Sequence, residues 1–121
     1  MDRINEFIDE VNQFPVYVQF KNFFWDNYPR GEYFSIDTTS MLKAIMWEND
    51  CLYVIFSNDS EYIYYDVPSD VFLLGCFTEW LVEFNAQLDD DRKKDLDLPE
   101  IKVSGWFHDI VKDEWNYTRL K

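Results

Sequence analysis

Three short apolar runs, each closed by a cluster of turn-forming residues, lead into one long apolar run. They fill residues 41–88: MLKAIMW, then Glu48-Asn49-Asp50, CLYVIF, Ser57-Asn58-Asp59-Ser60, EYIYYDVP and finally SDVFLLGCFTEWLVEFNAQL. Short runs rich in β-branched and aromatic residues suit a pleated, partly buried surface. Their separators are short and polar enough for hairpin turns. The pattern therefore predicts an antiparallel meander of strands at 41–47, 51–56 and 61–65. Alternation sets Leu52, Val54 and Phe56 on one face and Tyr53 and Ile55 on the other. Both faces are apolar, so each needs a cover. Val67-Pro68 ends the third strand, and proline suits the first turn of a helix, where its missing N–H is not needed. From Ser69 onward Val71, Leu74, Trp80, Leu81, Phe84 and Leu88 recur near helical spacing, so a helix from about Ser69 to Leu88 is expected to pack across the sheet. Leu52, Val54, Phe56, Val71, Leu74 and Phe84 are its expected core.

The same stretch is electrostatically one-sided. After Lys43 the next basic residue is Arg92, and between them stand eleven carboxylates: Glu48, Asp50, Asp59, Glu61, Asp66, Asp70, Glu79, Glu83, Asp89, Asp90 and Asp91. The whole chain carries a formal charge of −13, which disfavours a phosphate backbone or an anionic membrane as partner. No apolar run approaches the ~20 residues that span a bilayer, and no N-terminal signal is read, so a soluble, cytoplasmic protein is expected. At 121 residues, with 20% aromatics, the chain is expected to form one globular domain over 1–121 with a substantial core.

The motif S-x-L-x-A-I-x-W, carried by Ser40, Leu42, Ala44, Ile45 and Trp47, continues with Leu52, Val54 and Phe56. Tyr62, Tyr64, Val67, Pro68, Val71 and Phe72 follow, then Phe84 and Asn85. This series resembles the KTSC domain, a small module found at the C-terminus of some lysyl-tRNA synthetases. The resemblance covers less than half of the chain, about 40–88, and mostly core positions. A Ser-x-Gly expected before Phe-Asn is replaced here by Glu79-Trp80-Leu81 nearby. It implies three strands plus a helix, and binding of RNA or of another partner, with no catalytic residues to carry over.

Upstream, Ile4, Phe7, Ile8, Val11 and Phe14 share one helical face, Asp2 is a suitable cap and Pro15 reads as a stop, so a helix is expected over 2–14. Residues 16–20 alternate as a short strand. Residues 21–33 (KNFFWDNYPRGEY) read as an aromatic loop that either covers a sheet face or presents a binding anchor. In the second case Trp25, Tyr28 and Arg30 form the contact centre with Tyr33 in support, since Trp, Tyr and Arg dominate binding hot spots. Downstream, residues 89–95 form a solvated charge run without the alternating ligands and central glycine of a calcium loop. Residues 101–110 and 115–120 read either as a hairpin, with Trp115, Tyr117 and Arg119 alternating, or with a short helix through 106–111.

Chemistry for catalysis is sparse. His108 is the one histidine, so a zinc site of several His and Cys cannot be assembled. Cys51 and Cys76 lie in apolar runs, where a thiol stays protonated and inert. Glu79 and Glu83, one helical turn apart, read as two exposed like charges. No metal, cofactor or enzymatic activity is expected.

Two functions remain. The first is a small acidic inhibitor that occupies the nucleic-acid-binding surface of a basic protein, probed by Glu48, Asp50, Asp59, Glu61, Asp66, Asp70, Glu79 and Glu83. A surface built to meet phosphates can be steered to and held by carboxylates. Immunity proteins of nuclease toxins and phage-encoded blockers of restriction or CRISPR nucleases share this small, acidic, aromatic-rich composition. The second is a KTSC-like RNA- or partner-binding module, whose candidate basic residues are Lys43, Arg92, Lys93, Lys94, Lys102 and Lys112. The competing account of the charge is that it only keeps an aromatic chain soluble.

Overall fold

The computed structural model describes residues 9, 12–13, 15–27, 31–86, 102–112 and 114–121, and among them five strands and the helices named below make up an α+β fold. Helix α1 covers Pro15–Asn27, and strands β1 (Phe34–Ser35), β2 (Leu42–Glu48), β3 (Cys51–Phe56) and β4 (Glu61–Tyr64) follow. Helix α2 covers Ser69–Ala86, α3 covers Val103–Trp106 and runs into a π-helical turn at Phe107–Val111, and β5 (Tyr117–Arg119) closes the described chain. The strands pair antiparallel in the order β1-β2-β3-β4-β5.

The meander forms where the turn residues require it. Asn49 (φ 54°) and Asp50 (φ 62°) are consecutive left-handed residues between the paired Glu48 and Cys51, the backbone of a two-residue hairpin turn matched to strand twist. At the next turn Asn58 Oδ1 accepts from the Ser60 N–H (3.0 Å), and Asp59 adopts φ 69°. A bulge between Leu42 and Ala44 resets the alternation of β2. It puts Leu42 and Ile45 on the same face as Leu52 and Val54, and all four are buried. After β4 the chain is pinned twice: the Val67 N–H donates to the Asp50 carbonyl (2.8 Å), and Trp47 Nε1–H to the Val67 carbonyl (2.8 Å). Pro68 then opens α2, as its position implies.

Helix α2 is buried nearly all round. Val71, Phe72, Leu73, Leu74, Cys76, Phe77, Thr78, Glu79 and Leu81 are each almost inaccessible, so the expected single stripe covers only part of its contact surface. One side meets the sheet. A second side meets α1 through Tyr17 and Phe77 (ring centroids 4.9 Å), Phe20 and Phe77 (5.4 Å) and Phe24 and Phe72 (5.9 Å). A third side meets α3, whose Trp106 Nε1–H donates to the Val71 carbonyl (3.0 Å). Trp106 lies so close that a Cβ on Gly75 would stand 2.6 Å from its ring.

Several expectations are corrected. Residues 16–20 are not a strand, and 21–27 are not loop; both belong to α1. Pro15 starts this helix rather than stopping another, since a fixed φ and a missing N–H suit its first turn. Tyr17, Phe20 and Phe24 are spaced three and four apart and turn onto α2, which overrides the local alternation. The hairpin arm at 101–110 gives way to the helical alternative: Val103, Trp106, Phe107, Ile110 and Val111 are all buried on one face. Trp115 Nε1–H donates to the Ile110 carbonyl (3.2 Å) before β5 pairs with β4. Phe56 and Phe84 are half-buried rather than core. The helix expected over 2–14, apart from residues 9, 12 and 13, lies outside the described residues. So do the charge run at 89–95 and Leu88.

Candidate interaction surface

The described helices lie on one face of the sheet. Phe24 on α1 meets Phe34 on β1, α2 crosses β2, and Phe107 meets Phe56 and Tyr64. Register then assigns the opposite face. A row from Met46 through Tyr53 and Ile63 to Thr118 crosses it, with Ala44, Ile55 and Glu61 to one side and Glu48 and Cys51 to the other. Met46 and Ile63 in the central row are buried, while Tyr53, Ile55 and Cys51 are half-buried, and no described helix makes a ring contact with this face.

Tyrosines and carboxylates interleave on that face. Tyr33 precedes β1, and its hydroxyl donates to Glu61 Oε1 on β4 (2.8 Å), so its ring reaches across the sheet. The Tyr65 hydroxyl donates to Thr118 Oγ1 (3.2 Å). Tyr33 and Tyr65 are 40% and 37% exposed, which leaves aromatic surface accessible beside the acids. At one end, Asp50 in the first turn and Asp66 (φ 58°) after β4 line one shallow depression with Val67 and Pro68. Glu48 pairs in register with Cys51 beside them.

Burial and neighbouring carboxylates raise three protonated groups on this face. Burial pushes the Tyr33 hydroxyl up to about 12, reinforced by its hydrogen bond to Glu61 and the Glu61 charge. The Tyr53 hydroxyl is raised by burial, then by Cys51, Glu48, Tyr65 and Glu61. The Cys51 thiol is raised by burial, then by Asp66 and Asp50. In all three groups burial is the larger cause, and nearby carboxylates add to it: Glu61 at Tyr33, Glu48 and Glu61 at Tyr53, and Asp66 and Asp50 at Cys51.

The eight expected acids divide into distinct groups. Asp59 pairs with Lys43 (2.6 Å), Asp70 with Lys21 (3.5 Å) and Glu61 with Lys121 (3.7 Å). Glu48, Asp50, Asp66 and Glu83 have no ion pair among the described residues, and the first three gather at one end of the tyrosine face. Asp59 lies at the opposite end, as successive hairpin turns require. Glu79 corrects the expectation of two exposed like charges: it is 2% exposed and fixes the loop between β1 and β2. Its Oε2 accepts from the Asp37 N–H (2.9 Å), and its Oε1 from the Thr38 N–H (3.1 Å) and Thr38 Oγ1–H (2.6 Å). Carboxylate oxygens of Asp37, Glu79 and Glu83 lie within 4.8 Å of one another, yet those of Glu79 are already taken by the loop. The trio is better fitted to hold a turn than an ion. Burial, then contact with Glu79 and the charges of Glu79 and Asp37, raise the Glu83 carboxyl.

No family model matches the chain, and no curated protein matches it either. The remaining expected contacts are redistributed by the fold. Trp25 is half-buried on α1, packed against Phe24 (5.4 Å) and Phe72 (6.5 Å), so it stands in the helix layer and not in a loop. Tyr28 and Arg30 lie outside the described residues. Tyr33 does stand at the acidic face. Tyr53 and Tyr65 carry a strand-core pattern in sequence; their direction away from the helices follows only from the register and the one-sided helix layer. Cys76 is fully buried, and its thiol is pushed well up by that burial.

Proposed function

We propose that this chain is a small acidic, non-enzymatic binding protein that occupies the nucleic-acid-binding surface of a basic protein. A nuclease blocked in the manner of an anti-CRISPR, anti-restriction or toxin-immunity protein is the favoured partner. The observation that carries the reading is the sheet face on which Tyr33, Tyr53 and Tyr65 interleave with Glu48, Asp50, Glu61 and Asp66. Glu48, Asp50 and Asp66, without an ion pair among the described residues, steer and orient a basic partner. The tyrosines supply rigid apolar area with hydroxyl handles, the kind of desolvated centre that turns fast encounter into stable binding. The site works by display, with cytoplasmic location part of the proposal, and needs no cofactor. Affinity capture from a bacterial lysate tests it: the reading predicts recovery of a basic nucleic-acid-binding protein that added duplex DNA displaces. Recovery of nucleic acid itself, or of a partner indifferent to DNA, would overturn it.

A second reading follows the KTSC-like motif towards RNA or a host partner. It is favoured by a groove of about 320 Å³ on the helix side, lined by Met41, Phe56, Tyr62, Tyr64, Phe107, His108, Lys112 and Tyr117. Arg119 lies over the Tyr62 ring nearby (6.0 Å), and aromatic surface with basic neighbours is what unstacked bases use. Direct RNA binding measured on the isolated protein would select this reading over the first.

A further inference from the structure

The acidic trio borders a second feature, a groove between α1 and α2 at the β1 edge of the fold. Phe20, Phe23, Phe24, Phe34 and Trp80 wall it, with Asn27 and Glu83 at its lip, and it encloses about 360 Å³. Its rings already touch one another: Phe20 meets Phe24 (5.6 Å) and Trp80 (5.4 Å), and Phe24 meets Phe34 (6.0 Å). Phe23 is 67% exposed, an unusual position for so large an apolar side chain and one that its place on the groove explains. The Asn27 amide N–H donates to the Phe23 carbonyl (2.8 Å), which leaves the amide oxygen as an acceptor.

We propose that this groove receives a cationic side chain, an arginine or lysine of the basic partner, held between the aromatic rings and Glu83. The inference rests on the inhibitor reading for the source of that side chain. Charge complementarity selects the occupant. Glu83 and Asp37 have no basic partner among the described residues, and Glu79 beside them is committed to the 37–38 loop. A cation entering at the lip meets two carboxylates with unmet charge, while ring faces attract it through their quadrupoles. A neutral apolar side chain would fill the walls but leave these like charges facing one another. Burial first, then contact with Glu79 and the charges of Glu79 and Asp37, raise the Glu83 carboxyl, and an incoming cation would offset the charge part of that shift. Guanidinium suits the site best: it is planar, weakly hydrated and able to stack on an aromatic face while donating to Glu83 and the Asn27 oxygen.

The groove can be tested without the partner, so its failure is separable from failure of the inhibitor reading. The probe is N-acetyl-arginine methylamide, titrated into the isotope-labelled protein at low salt and followed by NMR at the Trp80 indole and Phe23 amide signals. N-acetyl-citrulline methylamide, the neutral isostere, is run alongside. Saturable shifts centred on those two residues are expected, with the citrulline compound weaker by at least about fivefold. Glu83→Gln is expected to weaken arginine binding about two- to fivefold without unfolding an exposed position. Phe23→Ala should do the same through loss of a wall. Equal binding of arginine and citrulline, or shifts that do not saturate at Trp80 and Phe23, would overturn the proposal. Saturable arginine binding together with DNA-insensitive partner capture would keep the groove and refute the inhibitor reading.

Discussion

Glu79→Ala should be among the most damaging single changes in this protein. The carboxylate is 2% exposed and accepts three hydrogen bonds, from the N–H groups of Asp37 and Thr38 and from the Thr38 hydroxyl. Hydrogen bonds to a charged group contribute about 1.5–3 kcal/mol each, and the partly exposed donors left behind are met in part by water. Allowing for relaxation of the loop and entry of water, a net loss of about 3–5 kcal/mol is expected. For a domain of this size that lowers Tm by roughly 10–20 °C. Glu79→Gln separates acceptor pattern from bulk. It keeps one oxygen for Thr38 but turns an amide N–H towards a backbone donor, a cost of about 1–3 kcal/mol, eased by about 0.3 kcal/mol as repulsion from Glu83 disappears. Thermal unfolding followed by circular dichroism at pH 7 measures both. Hydrogen exchange at Asp37 and Thr38 should accelerate in Glu79→Ala. A Tm within about 3 °C of wild type, or equal losses for Ala and Gln, would refute the assignment of distinct partners to the two oxygens.

Gly75→Ala should lose about 1–3 kcal/mol through overpacking, because its Cβ would meet the Trp106 ring; urea unfolding measures it, and an unchanged midpoint would contradict the close approach. Trp25→Ala should cost about 2 kcal/mol of stability and leave partner binding unchanged, the reverse of what an anchor would show. Glu83 has a raised folded-state carboxyl, so its favourable contribution is present below the ordinary carboxylate range and lost as pH rises through the raised value. Glu83→Gln should therefore raise Tm at pH 7, with the gain vanishing in acid. Tyr33, held up to about 12, contributes stability that is lost as pH rises from its ordinary range through that value; a spectrophotometric titration of wild type against Tyr33→Phe should show one late-ionising hydroxyl missing.

Legibility of the fold followed the locality of its causes. The hairpins and the Val67-Pro68 junction could be read because Asn49-Asp50, Asn58-Asp59 and a proline state their backbone demands within a few residues. Helix α1 could not, since Val16, Val18 and Phe20 alternate like a strand and the helical set Tyr17, Phe20 and Phe24 is recognisable only once α2 offers it a surface. The bulge in β2 leaves no local mark beyond Lys43 standing between Leu42 and Ala44. At the candidate surface, charge was legible as composition but not as placement. Glu79 looks like Glu83 in sequence; what buries it is a pair of backbone N–H groups about forty residues upstream. Tyr53 and Tyr65 carry a strand signature, and only the helices' choice of one sheet face turns them outward.

The most direct test of the central claim is the salt dependence of association with the captured basic partner, compared between wild type and the double neutralisation Asp50→Asn/Asp66→Asn, which keeps residues suited to the left-handed backbone at both positions. Asp59→Asn, at the opposite end of the sheet, is the control. The account predicts fast, strongly salt-dependent association for wild type and for the control. It predicts a slower rate with a flattened salt slope for the double variant, with little change in Tm. Association that is indifferent to salt and equal in all three proteins would contradict it.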